Sequence, residues 1–491
     1  MSRSASSQFW VLFVIFLLAM PLAATALRPR FDEDTWWHLA VGRYIVTHDI
    51  TFPQTDPFSR PGLEQRLPWV AYSWLYELTL YEAYQGFGVA GVLYDRYLLV
   101  FLMYLALARF ATRNLRHPAG NLAALGLVTI SLLPLLSERP WHLTIIGTIL
   151  SLDAAIRLRD REPAWRFWWL PLYYVLWANT HIQFVLGLGI LGLAWVVTLW
   201  KRPQDDLPAR GRAILAYLGL CGLATLANPY GYRLYGVIWE YATQKTPLRN
   251  VTELMSPDFS MWWNWPLALL GCWAAALVVR RGFPIWDTLL LTAGAFFSLR
   301  MQRDLWFGCL SALAVVCRSS GPAAAQPENV SPVTVPCRKL LLVIVAAFAL
   351  ARSGWQLTAP SSLVDVAQRD YPVGALRFLR EHPRGGPLFN DFNWGGYWIW
   401  NLPHLPVSID GRTNLYGEER LGRSIRTWAG LSGWESDPDL LVAAVVVGPR
   451  TQRLTELLLE RPDEWMAIYE DEVSVVFIRP ERGPPPRMVV P

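Results

Sequence analysis

The sequence predicts a polytopic α-helical membrane protein with about 11 spans, followed by a small extracytoplasmic α/β domain. Three observations carry that prediction. Long apolar runs recur through residues 1–356, the short connections between them alternate in basic charge, and beyond about residue 360 the texture changes to short apolar runs bounded by turn residues. Of the 491 residues, 53% are hydrophobic and only 17% charged, which is too little charge for an ordinary soluble chain of this size. The 26 Trp and 19 Tyr suit rings placed at membrane interfaces. The net charge of +5 follows from basic cytoplasmic loops and calls for no nucleic-acid partner. Cys221, Cys272, Cys309, Cys317 and Cys337 have no zinc-ligand spacing and none lies in the polar C-terminal region, which argues against structural zinc or a disulfide framework.

Apolar runs of bilayer-crossing length, about 17–25 residues, fall near 9–27, 88–110, 120–137, 140–156, 166–180, 182–200, 212–228, 263–279, 284–299, 302–317 and 339–356. The first has a signal-peptide alternative, since Arg3 precedes it and Ala24-Thr25-Ala26 resembles a cleavage site; its length favours an uncleaved anchor. Every second connection is short and basic: Arg109, Arg113 and Arg116; then Arg157, Arg159, Arg161 and Arg166; then Lys201, Arg202, Arg210 and Arg212; then Arg280 and Arg281; then Arg318, Arg338 and Lys339. These are assigned to the cytoplasm, with the N-terminus, and the Pro-, Ala- and Ser-rich stretch 318–338 reads as a linker loop on that side. The outer side then receives 28–87, the connections around Arg139, Asn179 and His181, the stretch 229–262, the turn containing Arg300 and Arg303, and everything after residue 357.

The connection 28–87 opens with an acidic-aromatic cluster, Asp32-Glu33-Asp34-Thr35-Trp36-Trp37-His38. Residues 35–47 and 69–84 read as amphipathic helices at the interface, separated by turns at Pro53, Asp56-Pro57 and Pro61-Gly62. In the region 357–491, residues 372–382 suit a helix, Pro387–Asn390, Pro406–Asp410, Leu440–Val447 and Ser474–Ile478 suit strands, and Thr451–Glu460 suits a helix with Leu454, Leu457 and Leu458 on one face.

An N-in bundle with a long, acidic first outer loop resembles the GT-C class of membrane glycosyltransferases, with Asp32 and Asp34 in the position of the Asp-x-Asp motif. That resemblance covers 1–356 and implies a polyprenyl-phosphate sugar donor and a catalytic or metal-binding carboxylate in the first outer loop. A closer resemblance is to a bacterial group of multispan membrane proteins within that broad class. It rests on Asp34-Thr35-Trp36-Trp37-His38-Leu39 with Gly42, Asp56-Pro57-Phe58-Ser59, Trp177-Ala178-Asn179-Thr180-His181, Asn228-Pro229-Tyr230-Gly231, Asn393-Trp394-Gly395-Gly396-Tyr397 and Asp410-Gly411-Arg412. It implies a multi-pass protein of the bacterial inner membrane, in contact with membrane lipid. The Trp-Trp-Asp-Tyr-Gly motif of oligosaccharyltransferases is missing, and Trp262-Trp263-Asn264-Trp265 does not replace it.

Sugar transfer to a hydroxyl needs a base and a group that steadies the leaving phosphate. Asp34 is the first candidate base and Asp32 the second; against this stands the reading in which Asp34 caps the helix starting at Thr35. Asp32 and Asp34 are also candidate ligands of a divalent cation, Mg or Mn, with His38 one turn on. Arg139, His181, Arg300 and Arg303 are candidates for the phosphate, against snorkelling to headgroups or pairing with Asp304. Asp391, Asp410 and Arg412 follow predicted strands and are candidates for binding an extracytoplasmic glycan, lipid or protein acceptor, although Asp-Gly is also plain turn chemistry. Glu253, Asn179 and Asn228 are weaker candidates, Asn228-Pro229 reading mainly as a helix stop. The competing functions are a non-enzymatic transporter or flippase for lipid-linked saccharides and an assembly partner without activity.

Overall fold

The computed structural model describes residues 31–113, 118–160, 162–200, 207–319 and 371–480. The expected spans 9–27 and 339–356 and nearly all of the loop 318–338 lie outside the described residues. The described residues are mostly helical with one small sheet, and the chain forms two compact units.

Among the described residues, the first unit holds Leu93–Gly231 and 248–319. A helix stands at each of the nine spans expected there: Val89–Arg113, Pro118–Leu132, Trp141–Arg159, Leu170–Thr180, Phe184–Trp200, Leu207–Ala224, Trp265–Arg280, Ile285–Arg300 and Leu305–Ser319. Among the described residues, three segments are long and apolar enough to cross a membrane: Val89–Ala111, Trp141–Arg159 and Trp262–Arg280. Leu305–Ser319 is buried along nearly its whole length and packs on Pro118–Leu132, Trp265–Arg280 and Ile285–Arg300. Small residues permit that approach: a Cβ on Gly308 would lie 2.5 Å from Ser298 Oγ, as expected where apolar helices associate by close backbone contact.

The second unit, among the described residues, holds 31–92, 232–247 and 371–480. The first long connection therefore groups with the C-terminal residues, whereas the sequence division at 356 had placed it with the bundle. Its sheet has the order β1-β2-β4-β3, with β1 Leu388–Asn390, β2 Val445–Pro449, β3 Met466–Glu470 and β4 Ser474–Ile478. β1 and β2 are parallel; β2–β4 and β4–β3 are antiparallel. The core around it gathers Phe389, Trp428, Trp434, Val446, Leu454, Leu458, Trp465, Val475 and Phe477, with Phe389 stacked on Trp428 at 5.3 Å. The helices expected at 372–382 and Thr451–Glu460 are found as Val373–Glu381 and Arg453–Leu459.

Two strand expectations change. Pro406–Asp410 is not a strand: Val407 makes only isolated bridges, to Ser59 and Leu388. Leu440–Val447 divides, because Pro438 and the Asp437 side chain start a short helix, Pro438–Leu441, before β2 begins. Met466–Glu470 and the helices Arg60–Gln65 and Thr413–Trp428 have no counterpart in the sequence reading, whereas Gly395–Asn401 answers the reading of Trp394, Trp398 and Trp400 as a Trp-rich helix rather than a sugar-stacking platform.

The helix Thr35–Thr47 packs against both Trp74–Phe87 and Gly395–Asn401. Its Trp36 is fully buried, edge-on to Tyr371 and Tyr397 at 5.4 and 5.1 Å. Arg43 lies 4.3 Å over the Trp400 ring and donates to the Trp400 carbonyl at 3.1 Å. The first connection is thus tied to residues about 360 positions later by aromatic packing and a guanidinium contact.

Candidate functional site

The acidic turn lies in the second unit. Asp32 and Asp34 are half-buried and Glu33 is exposed. Asp32 Oδ1 accepts from the Asp34 N–H at 3.0 Å, an Asx-type turn that sets the entry to the helix Thr35–Thr47. Asp34 stands at the N-cap position, but its carboxylate makes no capping hydrogen bond to that helix. The capping reading of Asp34 therefore fails at the hydrogen bond it requires. The carboxylate instead faces the Cα of Gly411: a Cβ there would lie 2.4 Å from Asp34 Oδ1.

His38 does not join the two aspartates. It is buried, its ring lies 3.7 Å from that of Trp37 and edge-on to Tyr76, and its Nδ1 is 3.2 Å from Glu77 Oε1. Burial holds the Glu77 carboxyl well above the usual carboxylate range, with Arg412 only partly opposing. Glu77 was not among the sequence candidates. Its signal is its place on the same helical face as Leu80 and Tyr81, where a carboxylate is out of pattern. Among the described residues, no group of three or more His, Cys, Asp or Glu side chains is placed to hold a metal ion. Asp32 and Asp34 would supply two carboxylates to a cation and His38 no third ligand.

Asp410 and Arg412 form a sealed network, not an open strand end. Arg412 donates through Nε and Nη2 to Asp410 at 2.8 and 2.7 Å, and through Nη1 to Asp56 Oδ1 at 2.8 Å. Tyr416 OH donates to Asp410, and Ser59 Oγ to Asp56. The guanidinium also covers the Trp69 ring at 4.6 Å. All three charged groups are buried. Burial works against the charge on Arg412; Asp410 and Asp56 outweigh it and hold the guanidinium firmly protonated. Asp391 is buried too, and its Oδ1 accepts from the Asn393 N–H at 2.9 Å. Burial pushes its carboxyl up to about 6, against that hydrogen bond.

The basic candidates lie in the first unit. Glu253 is shared by Arg139, at 3.1 Å, and Arg303, at 3.7 Å. Both guanidiniums lie over Trp141, at 5.0 and 5.6 Å. Arg303 Nη2 is 3.4 Å from His181 Nε2, whose Nδ1 is 2.7 Å from Thr144 Oγ1. Burial, then Arg303 and Arg139, hold His181 well below its ordinary value, so the ring is neutral. Glu253 stays ionised: burial opposes it, and the two arginines prevail. Asp304 pairs with Gln183 at 2.7 Å, and Arg300 is half-buried at the end of its helix. Asn228 closes its own turn, its Oδ1 accepting from the Tyr230 N–H, and Asn179 bridges to the Ala227 carbonyl. Arg139, His181, Arg303 and Glu253 are thus one cluster, while Asp32 and Asp34 belong to the other unit.

No family model and no curated protein matches the chain. Among solved structures, the chain is similar to the crystal structure of the Archaeoglobus fulgidus oligosaccharyltransferase in its apo form. The TM-score is 0.47 at 11% identity, over 90% of this chain and 70% of that one. A likeness at that level lends no support to any activity.

Proposed function

We propose that the chain is a GT-C-like membrane glycosyltransferase that moves one sugar from a polyprenyl-phosphate donor to a glycan, lipid or protein acceptor outside the cytoplasm. Its setting is the bacterial inner membrane, with the N-terminus cytoplasmic and the C-terminal region outside. The observation that carries the reading is the Asp34 carboxylate, half-buried at the start of a helix that it does not cap, with Asp32 two residues away.

In that reaction Asp34 takes the proton of the acceptor hydroxyl as its oxygen bonds to the anomeric carbon. The bond from that carbon to the phosphate oxygen breaks, and the phosphate leaves with the electron pair. Within the first unit, Arg139 and Arg303 suit a phosphate group, because both already meet the Glu253 carboxylate and a phosphate offers each a fork of acceptors. Arg300 and His181 would line the same place. Were a divalent cation bound, Asp32 and Asp34 would be the carboxylates that hold it, and it would supply charge to steady the leaving phosphate. Asp391 would meet the acceptor, while Asp410 and Arg412 act through the structure they hold.

The test is transfer from a panel of radiolabelled polyprenyl-phosphate sugars by purified protein, wild type beside Asp34→Ala, with and without chelator. Product from wild type and a loss of at least about 10²-fold in Asp34→Ala is expected. A well-folded Asp34→Ala that transfers normally would falsify the assignment of the base. Donor binding without product from any donor would favour the transporter or assembly-partner reading.

A further inference from the structure

We propose that the backbone at Gly411 is the seat that fixes the Asp34 carboxylate, which makes Gly411 a positioning residue of the transfer reaction. The inference rests on the reading of Asp34 as the base. Gly411 does not lie in the left-handed region, so its backbone conformation does not call for glycine. What calls for glycine is space. A Cβ at this position would lie 2.4 Å from Asp34 Oδ1, 3.6 Å from Asp34 Cγ and 3.4 Å from Trp37 Nε1. The carboxylate and the buried indole N–H, one helical turn apart, thus converge on the point a side chain would occupy.

The seat itself has little room to move. Gly411 stands between Asp410 and Arg412, which bind each other and, through Arg412, Asp56. Behind it, the backbone at Gly395 is so close that a Cβ there would lie 2.2 Å from the Ile409 carbonyl oxygen and 2.5 Å from Asp410 Cα. The next residue closes on the acidic turn from its own side. A Cβ on Gly396 would lie 3.2 Å from the Trp37 nitrogen and 3.3 Å from the Glu33 carbonyl oxygen. Two C-terminal segments therefore meet the turn, one at its backbone and one at its carboxylate. Such a buttress restricts where the carboxylate can stand, and a base must stand within a fraction of an ångström of its working place.

A methyl group at 411 has to displace something. The flanking backbone is held by the buried network, whereas the Asp34 carboxylate is the far end of a short flexible side chain. The carboxylate moves, and the fold stays. This separates Gly411→Ala from an ordinary glycine lesion, and it sets the readout.

The experiment compares full-length wild type, Gly411→Ala, Gly396→Ala and Asp34→Ala in detergent, measuring thermal unfolding together with kcat and the donor KM. Gly411→Ala is expected to unfold at the wild-type temperature, keep the donor KM, and lose about 10²-fold in kcat. Gly396→Ala, whose contact is a few tenths of an ångström too tight, is expected to lose less in kcat at the same KM. An inactive Asp34→Ala beside a Gly411→Ala of wild-type kcat overturns the seat and leaves the base assignment standing. An active Asp34→Ala overturns both. Should Gly411→Ala fail to fold, Gly396→Ala decides: a lowered kcat at unchanged KM supports the seat, and wild-type kcat overturns it.

Discussion

The two units each contain a group of ionised side chains, and the two groups are built on opposite plans. In the second unit Asp56, Asp410 and Arg412 are wholly buried, and Arg412 meets its carboxylates at 2.7–2.8 Å. In the first unit Arg139 and Arg303 share Glu253, which is about a third exposed, and the Arg303 contact at 3.7 Å is too long for a hydrogen bond. The closed group offers an incoming ligand nothing to replace. The open group holds two forked cations at a carboxylate that solvent reaches, and a phosphate has the acceptors to take that carboxylate's place. Motif chemistry does not tell these apart: Asp-Gly-Arg after a predicted strand looks as functional as a pair of outer arginines. Burial and the closure of the hydrogen bonds distinguish a lock from a binding group.

The largest effect should come from opening the lock. Arg412→Ala leaves two carboxylates buried without their cation, a change that costs about 3–5 kcal/mol in other buried pairs. Chemical unfolding of the purified protein should show that loss. Arg412→Lys, which keeps the charge but not the fork, should recover only part of it. If Arg412→Ala unfolded at the wild-type midpoint, the network would be decoration and the seat at Gly411 would lose its support.

How much of this could be read beforehand follows the same division. The helix Thr35–Thr47 and the nine helices at expected spans were legible because apolar length and turn residues are local signals. β3 was missed because Trp465 to Tyr469 is a short unbroken apolar run, which periodicity alone does not separate from a buried helix segment, and its pairing with β4 carries an irregularity between Ala467 and Tyr469. Thr413–Trp428 was missed because Gly417, at φ 68°, interrupts it after one turn. The acidic turn was found from composition. Its surroundings were not, because Gly411, Gly396 and Glu77 reach it only through pairings across 39 to about 380 residues, which no spacing rule encodes.

A smaller effect is expected in the open group, and of a different kind. Arg303→Ala removes, with its other contacts, a long ion pair to a partly exposed carboxylate, and that pair should contribute about 1 kcal/mol or less to stability. If Arg303 holds donor phosphate in the ground state as well as in the transition state, the donor KM should rise with kcat little changed. A fall in kcat at constant KM would assign Arg303 to the departing phosphate alone. A variant indistinguishable from wild type in both would return Arg303 to a purely structural pairing with Glu253.

The smallest effect should come from Glu77→Gln, and pH gives it its sign. Burial raises the folded-state value of Glu77 well above the ordinary 4.5. Above pH 4.5 the unfolded chain releases this proton while the folded chain keeps it, so the folded state binds more protons. The contribution of Glu77 to stability is therefore complete below that pH and declines as pH rises toward the folded-state value. Glutamine is neutral throughout and can still meet His38 Nδ1, now 3.2 Å from the Glu77 oxygen. Thermal unfolding of the two proteins should nearly coincide at pH 4 and separate as pH rises, with Glu77→Gln the more stable. Parallel curves across the range would mean that Glu77 ionises in the fold, and that the His38–Glu77 contact is an ion pair of the same closed kind as Arg412 with its aspartates.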